Sequence, residues 1–242
     1  MILNVDKDTH FSALNSQVRN TSDNNVTING CMGQRYIATG SSDKLITING
    51  TPGNALGAYL NGSVVVVNGN AQDATGDTMN GGEIIIHGSA GDATGYAMRG
   101  GKIYISGNTG YRAGIHMKAY KELRPVIVVG GRAGSFLGEY QAGGIIVVLG
   151  QNKDGLPIIN NFCGTGMHGG VMYLRCDKLP HAIPGQVRTE DVYGEDCPEL
   201  VAIIDDYCRY FPEFDRDKLI KANFKKLTPN SDNPYKQLYT DN

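Results

Sequence analysis

The sequence predicts an all-β solenoid: a right-handed parallel β-helix of about eight rungs, with a short N-terminal cap helix and a C-terminal helical extension. Three observations predict it: a glycine period of 19 residues, an Ile/Val pair ahead of each marker glycine, and the loss of both after Arg175.

The period comes first. Gly50, Gly69, Gly88 and Gly107 recur every 19 residues, and so do Gly57, Gly76, Gly95 and Gly114. Gly30 leads into the series, and Gly130 and Gly150 continue it at looser spacing, with KAYKELR (118–124) read as an insertion at one corner. Four and two residues before the markers stand Val26/Ile28, Ile46/Ile48, Val65/Val67, Ile84/Ile86, Ile103/Ile105, Val126/Val128 and Ile146/Val148. Strand side chains alternate faces, so this pattern buries one face of each strand. Leu60, Met79, Met98 and Met117 supply a second apolar wall, and Met167 opens a last copy that turns Met172 and Leu174 inward. One rung cannot bury its own apolar face, whereas stacked rungs enclose a shared core. A left-handed hexapeptide helix needs a six-residue beat, which a period of 19 breaks.

The glycines at Gly50, Gly57, Gly69, Gly76, Gly88, Gly95, Gly107, Gly114, Gly130 and Gly150 are therefore read as structural, allowing tight corners and positive φ. Asn29, Asn49 and Asn68 fit a stack of side-chain amides. The organisation follows: a cap segment over 1–24, the repeat region over 25–176, and a helical extension with a tail over 177–242. In the cap, Phe11, Leu14 and Val18 share a helical face, with Asp8 or Thr9 as N-cap. In the extension, Leu200, Ile203, Ile204, Tyr207 and Phe211 share another, with Asp196 as N-cap and Pro198 in the first turn. A further helix is expected over about 216–227, and the tail from Thr228 reads as extended and polar.

On the other strand face, the column Thr27, Thr47, Val66, Ile85, Tyr104, Ile127, Val147 turns apolar along the stack. Val66, Ile85, Tyr104, Ile127 and Val147 form a candidate partner face, since such strips mark interfaces. The competing reading folds the Leu200/Ile204/Phe211 helix back over the strip. Outward positions such as Ile85 and Tyr104 are expected to tolerate polar substitution.

Chemistry is thinly signalled. GTGMHG (164–169) fits a dinucleotide fingerprint, but that loop must open a helix to hold pyrophosphate, and GVMYLR reads as a strand. No G-K-[ST] occurs, and His87, His116, His168 and His181 show no metal-ligand spacing. Asp73 and Asp92 stack one period apart, as paired carboxylates do in some glycosidases, but Asx-type turn bonding accounts for them better. The cysteines Cys31, Cys163, Cys176, Cys197 and Cys208 include no C-x-x-C pair, which argues against an iron–sulfur or zinc site on this chain. Net charge is −2, with no basic stripe for nucleic acid or an anionic membrane. MILNVDKDTH has no basic start and no long apolar run, so a reduced, cytoplasmic protein is expected. No catalytic, cofactor-binding or metal residue is nominated.

The segments GSAGDATGYAMRGGKIYISG (88–107), GNTGYRAGIHMK (107–118), GGRAGSFLGEYQAGG (130–144) and GTGMHGG (164–170) resemble one known repeat. It is the GXGXG-repeat C-terminal domain of the glutamate synthase large subunit, a domain also present in formylmethanofuran dehydrogenase. The resemblance implies a non-catalytic scaffold or assembly subunit of a complex that makes glutamate from glutamine and 2-oxoglutarate. It implies no activity for the chain alone, and none of its own cofactors. The amidotransferase and the FMN and iron–sulfur synthase would be other chains, and a homo-oligomer fits as well. Two other readings stay open: a free-standing β-helix enzyme or binding protein, for example for carbohydrate, and a scaffold subunit of a formylmethanofuran dehydrogenase-type complex.

Overall fold

The structure, a computed structural model, describes residues 1–151 and 154–230. It opens with a short strand β1 (Ile2–Asn4), helix α1 (Phe11–Asn20) and strand β2 (Asn25–Met32). Six further strands follow: β3 (Leu45–Thr51), β4 (Asn61–Asn68), β5 (Gly81–Ile86), β6 (Lys102–Ile105), β7 (Val126–Val129) and β8 (Ala142–Val148). The chain ends with β9 (Gly169–Leu174), β10 (Val187–Tyr193), α2 (Pro198–Tyr210), α3 (Arg216–Ile220) and β11 (Asn223–Pro229).

The expected all-β solenoid, a right-handed parallel β-helix, is corrected. Among the described residues the strands form a single mixed sheet of eleven, in the order β1-β2-β3-β4-β5-β6-β7-β8-β9-β11-β10, which does not close on itself. The strands from β1 to β9 run parallel, whereas β11 is antiparallel to both β9 and β10. Each repeat contributes one strand to the sheet and spends its remainder on tight turns. The turns place residues such as Ala74 (φ 55), Gly76 (φ 71) and Thr78 (φ 51) in the left-handed region, which no strand accepts. Neighbouring turns are nonetheless tied together: the N–H of Gly76 donates to Leu56 O, and that of Gly95 to Thr75 O, both at 2.7–2.8 Å. A column of single bridges runs Ala71, Ala90, Thr109, Ala133, Ile159 between them.

The core lies between the strands and these turns. Ile46, Ile48, Val65, Val67, Ile84, Ile86, Ile103, Ile105, Ile146 and Val148 are fully buried there, opposite Leu60, Met79, Met98 and Met117. Each such side chain contributes about 1.5–3 kcal/mol of gross burial, most of it opposed by chain entropy.

One strand is out of register with the sequence reading. Ile127 pairs with Ile103 and Ile146, and it enters the core with Val129. Val126 and Val128 face the other side. The insertion shifts the frame: Gly131, not Gly130, bonds to Gly107 and receives Gly150, so the marker step is 24 residues, five more than 19. Gly130 is kept small for another reason, since an added Cβ would meet Tyr207 Oη at 2.2 Å and Ser106 O at 2.3 Å.

Both ends of the stack differ from expectation in detail. α1 buries Leu14 and Val18 against the inner core, and His10 rather than Asp8 or Thr9 is its N-cap, accepting from Ser12 N. α2 buries Leu200, Ile203, Ile204 and Tyr207, and its N-cap is Cys197 rather than Asp196, which lies in a preceding 3-10 turn. The helix expected over 216–227 stops at Ile220. The residues after it form β11, because Lys225–Leu227 pair with β9 and the whole strand pairs with β10. Leu227 thereby reaches the inner core and Phe224 the outer layer. Of the tail expected to extend from Thr228, the residues from 231 on lie outside the described ones.

Candidate functional site

The outer face of the sheet is the first place to look, since the sequence nominates it. Ile85, Tyr104, Val128 and Val147 are fully buried there beneath Leu200, Ile204, Tyr207 and Phe211 of the C-terminal helices. Ile85, Tyr104 and Val147 of the nominated face are thus covered by this chain itself, Ile127 points into the core, and Val66 sits half-buried at the margin. Polar contacts fasten the cover. Tyr207 Oη donates to Ile105 O at 3.3 Å, Lys102 pairs with Asp206, and Tyr210 donates to Glu83. Burial first, and then the nearby Asp206 carboxylate, push the Tyr104 phenol far up, so it stays neutral.

Where the turns stack, Tyr96, Tyr111, Tyr140 and Phe162 are exposed among the described residues. Each turn carries three left-handed residues at alternate positions: Ala93/Gly95/Ala97, Arg112/Gly114/His116, Phe136/Gly138/Tyr140 and Phe162/Gly164/Gly166. The middle residue faces the core. A Cβ at Gly95 would meet Ile127 Cδ1 at 2.4 Å, and one at Gly114 would meet Ile146 Cδ1 at 2.5 Å. Glycine there is demanded by both space and φ. The flanking residues point outward, and a non-glycine residue in this region costs roughly 1–2 kcal/mol.

In the last three turns those flanking positions, Gly166 excepted, carry large side chains. Phe136 and Phe162 stack at 4.8 Å with 21° between their planes, and the Arg112 guanidinium caps Phe136 at 4.7 Å. Four residues along, His116 and Tyr140 stack at 5.1 Å and 10°, with Tyr96 edge-on to His116 at 5.9 Å. Tyr140 lies across Gly166, where a Cβ would come within 2.4 Å of its ring. Glu139, nearly buried, holds Arg112 Nε at 3.0 Å. The result is two parallel columns of rings on a hydrogen-bonded backbone, with Phe162 57% and Tyr140 46% exposed. Phe162 also walls a shallow groove with His181, Ile183 and Pro184. Preordered rings of this kind lose little entropy on contact, which suits them to binding.

Sequence reasoning missed this strip. Its signal is legible in hindsight as R-x-G-x-H, F-x-G-x-Y and F-x-G-x-G at matching places in successive repeats.

The Asp, His and Cys side chains weighed in the sequence make packing and hydrogen-bond contacts within the fold. Asp73 Oδ1 accepts from Asp92 N at 2.9 Å, and Asp92 Oδ1 from Tyr111 N at 2.8 Å, so these carboxylates tie successive repeats together. Those bonds cross between repeats, whereas Asx-type bonding would have closed each Asp on its own turn. The His87 ring packs edge-on to Phe211 at 5.1 Å. Burial pushes the Cys31 thiol up to about 11 and Cys163 up to about 12, so neither is a thiolate at neutral pH. Among the described residues, no group of three or more His, Cys, Asp and Glu could hold a metal ion, and no helix is long and apolar enough to cross a membrane.

A single sheet edged by stacked, glycine-centred turns defines a repeat protein that displays aromatic side chains along those turns. The chain belongs to the GXGXG motif family, whose profile matches residues 4–231. It is 41% identical over 248 residues to the uncharacterized protein MJ1350 of Methanocaldococcus jannaschii, covering 97% of this chain and 94% of that one. Its fold is similar to a chain of the formyltransferase/hydrolase complex of Methylorubrum extorquens, solved with methylofuran. That likeness has a TM-score of 0.63 at 19% identity, over 87% of this chain and 80% of the other.

Proposed function

We propose that this chain is a non-catalytic scaffold subunit of a multi-subunit, oxidoreductase-type complex of the glutamate synthase kind. In this reading the glutamine amidotransferase and the FMN and iron–sulfur synthase are separate chains of the cytoplasm. They assemble on this one, which binds no cofactor itself. The observation that carries the reading is the strip of Arg112, His116, Phe136, Tyr140 and Phe162, exposed except for the partly buried Phe136 and held in strained backbone on a rigid frame. Strain kept at exposed positions points to a role for what those positions display. The family match is in keeping with it.

A second reading, a subunit of a formylmethanofuran dehydrogenase-type complex, is favoured by the fold likeness to a chain of a formyltransferase/hydrolase complex.

Affinity purification of the tagged chain from its native cells, with mass spectrometry and absorbance spectra, tests both. The expected companions are an amidotransferase and a flavin-bearing synthase, with glutamine-dependent glutamate formation in the eluate. The double variant Tyr140→Ala/Phe162→Ala should lose them while melting close to the parent, since both rings are about half exposed. Companions of the formyl-transfer kind would favour the second reading. A chain that elutes alone would overturn both.

A further inference from the structure

The sheet ends at β10, and among the described residues nothing pairs with its outer edge. Seven residues, VRTEDVY, run along that edge, mostly exposed. The direction of their backbone groups follows from the bonds to β11. Asn230 N donates to Gln186 O, and Gly194 N donates to Ala222 O. In an antiparallel pair, bonding groups alternate residue by residue. The even-numbered residues of β10 therefore face β11, while Thr189, Asp191 and Tyr193 aim their N–H and C=O at the open edge. Val187 adds its C=O, its N–H being bonded to Pro184 O.

Such an edge is a template for another strand. We infer that it pairs antiparallel with β10 of a second copy, across a two-fold axis at Thr189, joining two sheets into one. The charges select both the partner and the register. Only registers that set odd residues opposite odd ones satisfy the open edge. An axis at Arg188 or at Glu190 would set like charges face to face, which is unfavourable. An axis at Thr189 sets Arg188 opposite Glu190 of the second copy, twice, in the close, non-hydrogen-bonded positions. Arg188 and Glu190 already meet within the strand at 2.7 Å, so the four side chains would close into one alternating cluster. Thr189 would exchange bonds with its own mate, and Asp191 N–H would donate to Val187 C=O in both directions. An edge of one charge sign would repel its copy, whereas this alternation suits it. The inference does not depend on the scaffold reading above.

Light scattering on the full-length protein after gel filtration is the test, with the wild type expected at twice the chain mass. Thr189→Pro removes an N–H that β11 does not use, so it should give a monomer that keeps the parent's circular dichroism spectrum and melts no lower than the parent does once diluted to a monomer. Glu190→Arg should weaken dimerisation by roughly tenfold or more. The swap Arg188→Glu/Glu190→Arg should restore the dimer, which a merely structural role for these residues would not produce. A wild type running at the mass of one chain overturns the inference, whether the edge is bare or covered by something else. So does a dimer that survives Thr189→Pro, or a swap that fails to restore it.

Discussion

The two halves of the outer sheet face were built by the same repeat and have opposite fates. Over β2 and β3 the column holds Thr27 and Thr47, half-exposed. From β5 onward it holds Ile85, Tyr104, Val128 and Val147, all fully buried beneath α2 and its neighbours. The polar half is laced across its surface: Asn29 Nδ2 donates to Asn4 Oδ1 at 3.0 Å, and Asn49 to Asn29 and Asn68 to Asn49 at 2.7 Å. Where the amide ladder ends, His87 stands against Phe211 and the helical cover begins. One backbone thus supports two surfaces, and the side chain at a single column position decides whether a helix docks or water does.

The largest effect should come from putting a charge on each half. Ile85→Asp buries a carboxylate under α2 and is expected to cost about 3–5 kcal/mol, whereas Thr47→Asp should cost less than about 1 kcal/mol. Urea denaturation of the pair measures the contrast; equal losses would mean that α2 does not cover Ile85 in solution.

A smaller effect is expected at the clamp that fastens α2. Burial pulls the Asp206 carboxyl up, but the hydrogen bond and charge of Lys102, with Arg209 nearby, outweigh it and leave the pKa lowered. A lowered folded pKa stabilises the fold above the unfolded carboxylate value of about 3.9, and that gain is lost as pH falls through the folded pKa. Asp206→Asn should therefore flatten the acid limb of stability below about pH 4 and cost about 1 kcal/mol or less at neutral pH, the pair being partly exposed. Melting curves from pH 2 to 7 read this directly, and parallel curves for parent and variant would remove the clamp. A change of similar size belongs to the polar half: Asn49→Ala breaks two ladder bonds at the surface and should cost about 0.5–1.5 kcal/mol by thermal melting. A loss as large as that of Ile85→Asp would make the ladder, not the helix, the chief support of this face.

The same contrast shows where the site was hidden. The helical face Leu200/Ile203/Ile204/Tyr207/Phe211 was legible from spacing alone, but which surface it covers was not, because two apolar faces match without specifying each other. The ring strip was harder still. Its residues lie 24 and 26 apart rather than 19, since insertions before β7 and after β8 stretch the period just where the rings occur. A ring in the left-handed region is also something no propensity scale anticipates.

Periodicity alone carried the inner core, the glycine-centred turns and the amphipathic faces of α1 and α2, because each is a local rule repeated: alternate side chains, positive φ, a helical stripe. Packing had to decide the rest. The frame shift that sends Ile127 inward depends on which backbone groups meet across the insertion. The residues from Asn223 to Pro229 carry lysines suited to a helix, yet they form a strand because the edge of β9 offers unpaired backbone groups that only a strand can satisfy. That each repeat yields one strand rather than several follows from three left-handed residues per turn, and only one of these, the glycine facing the core, announces itself in the chain.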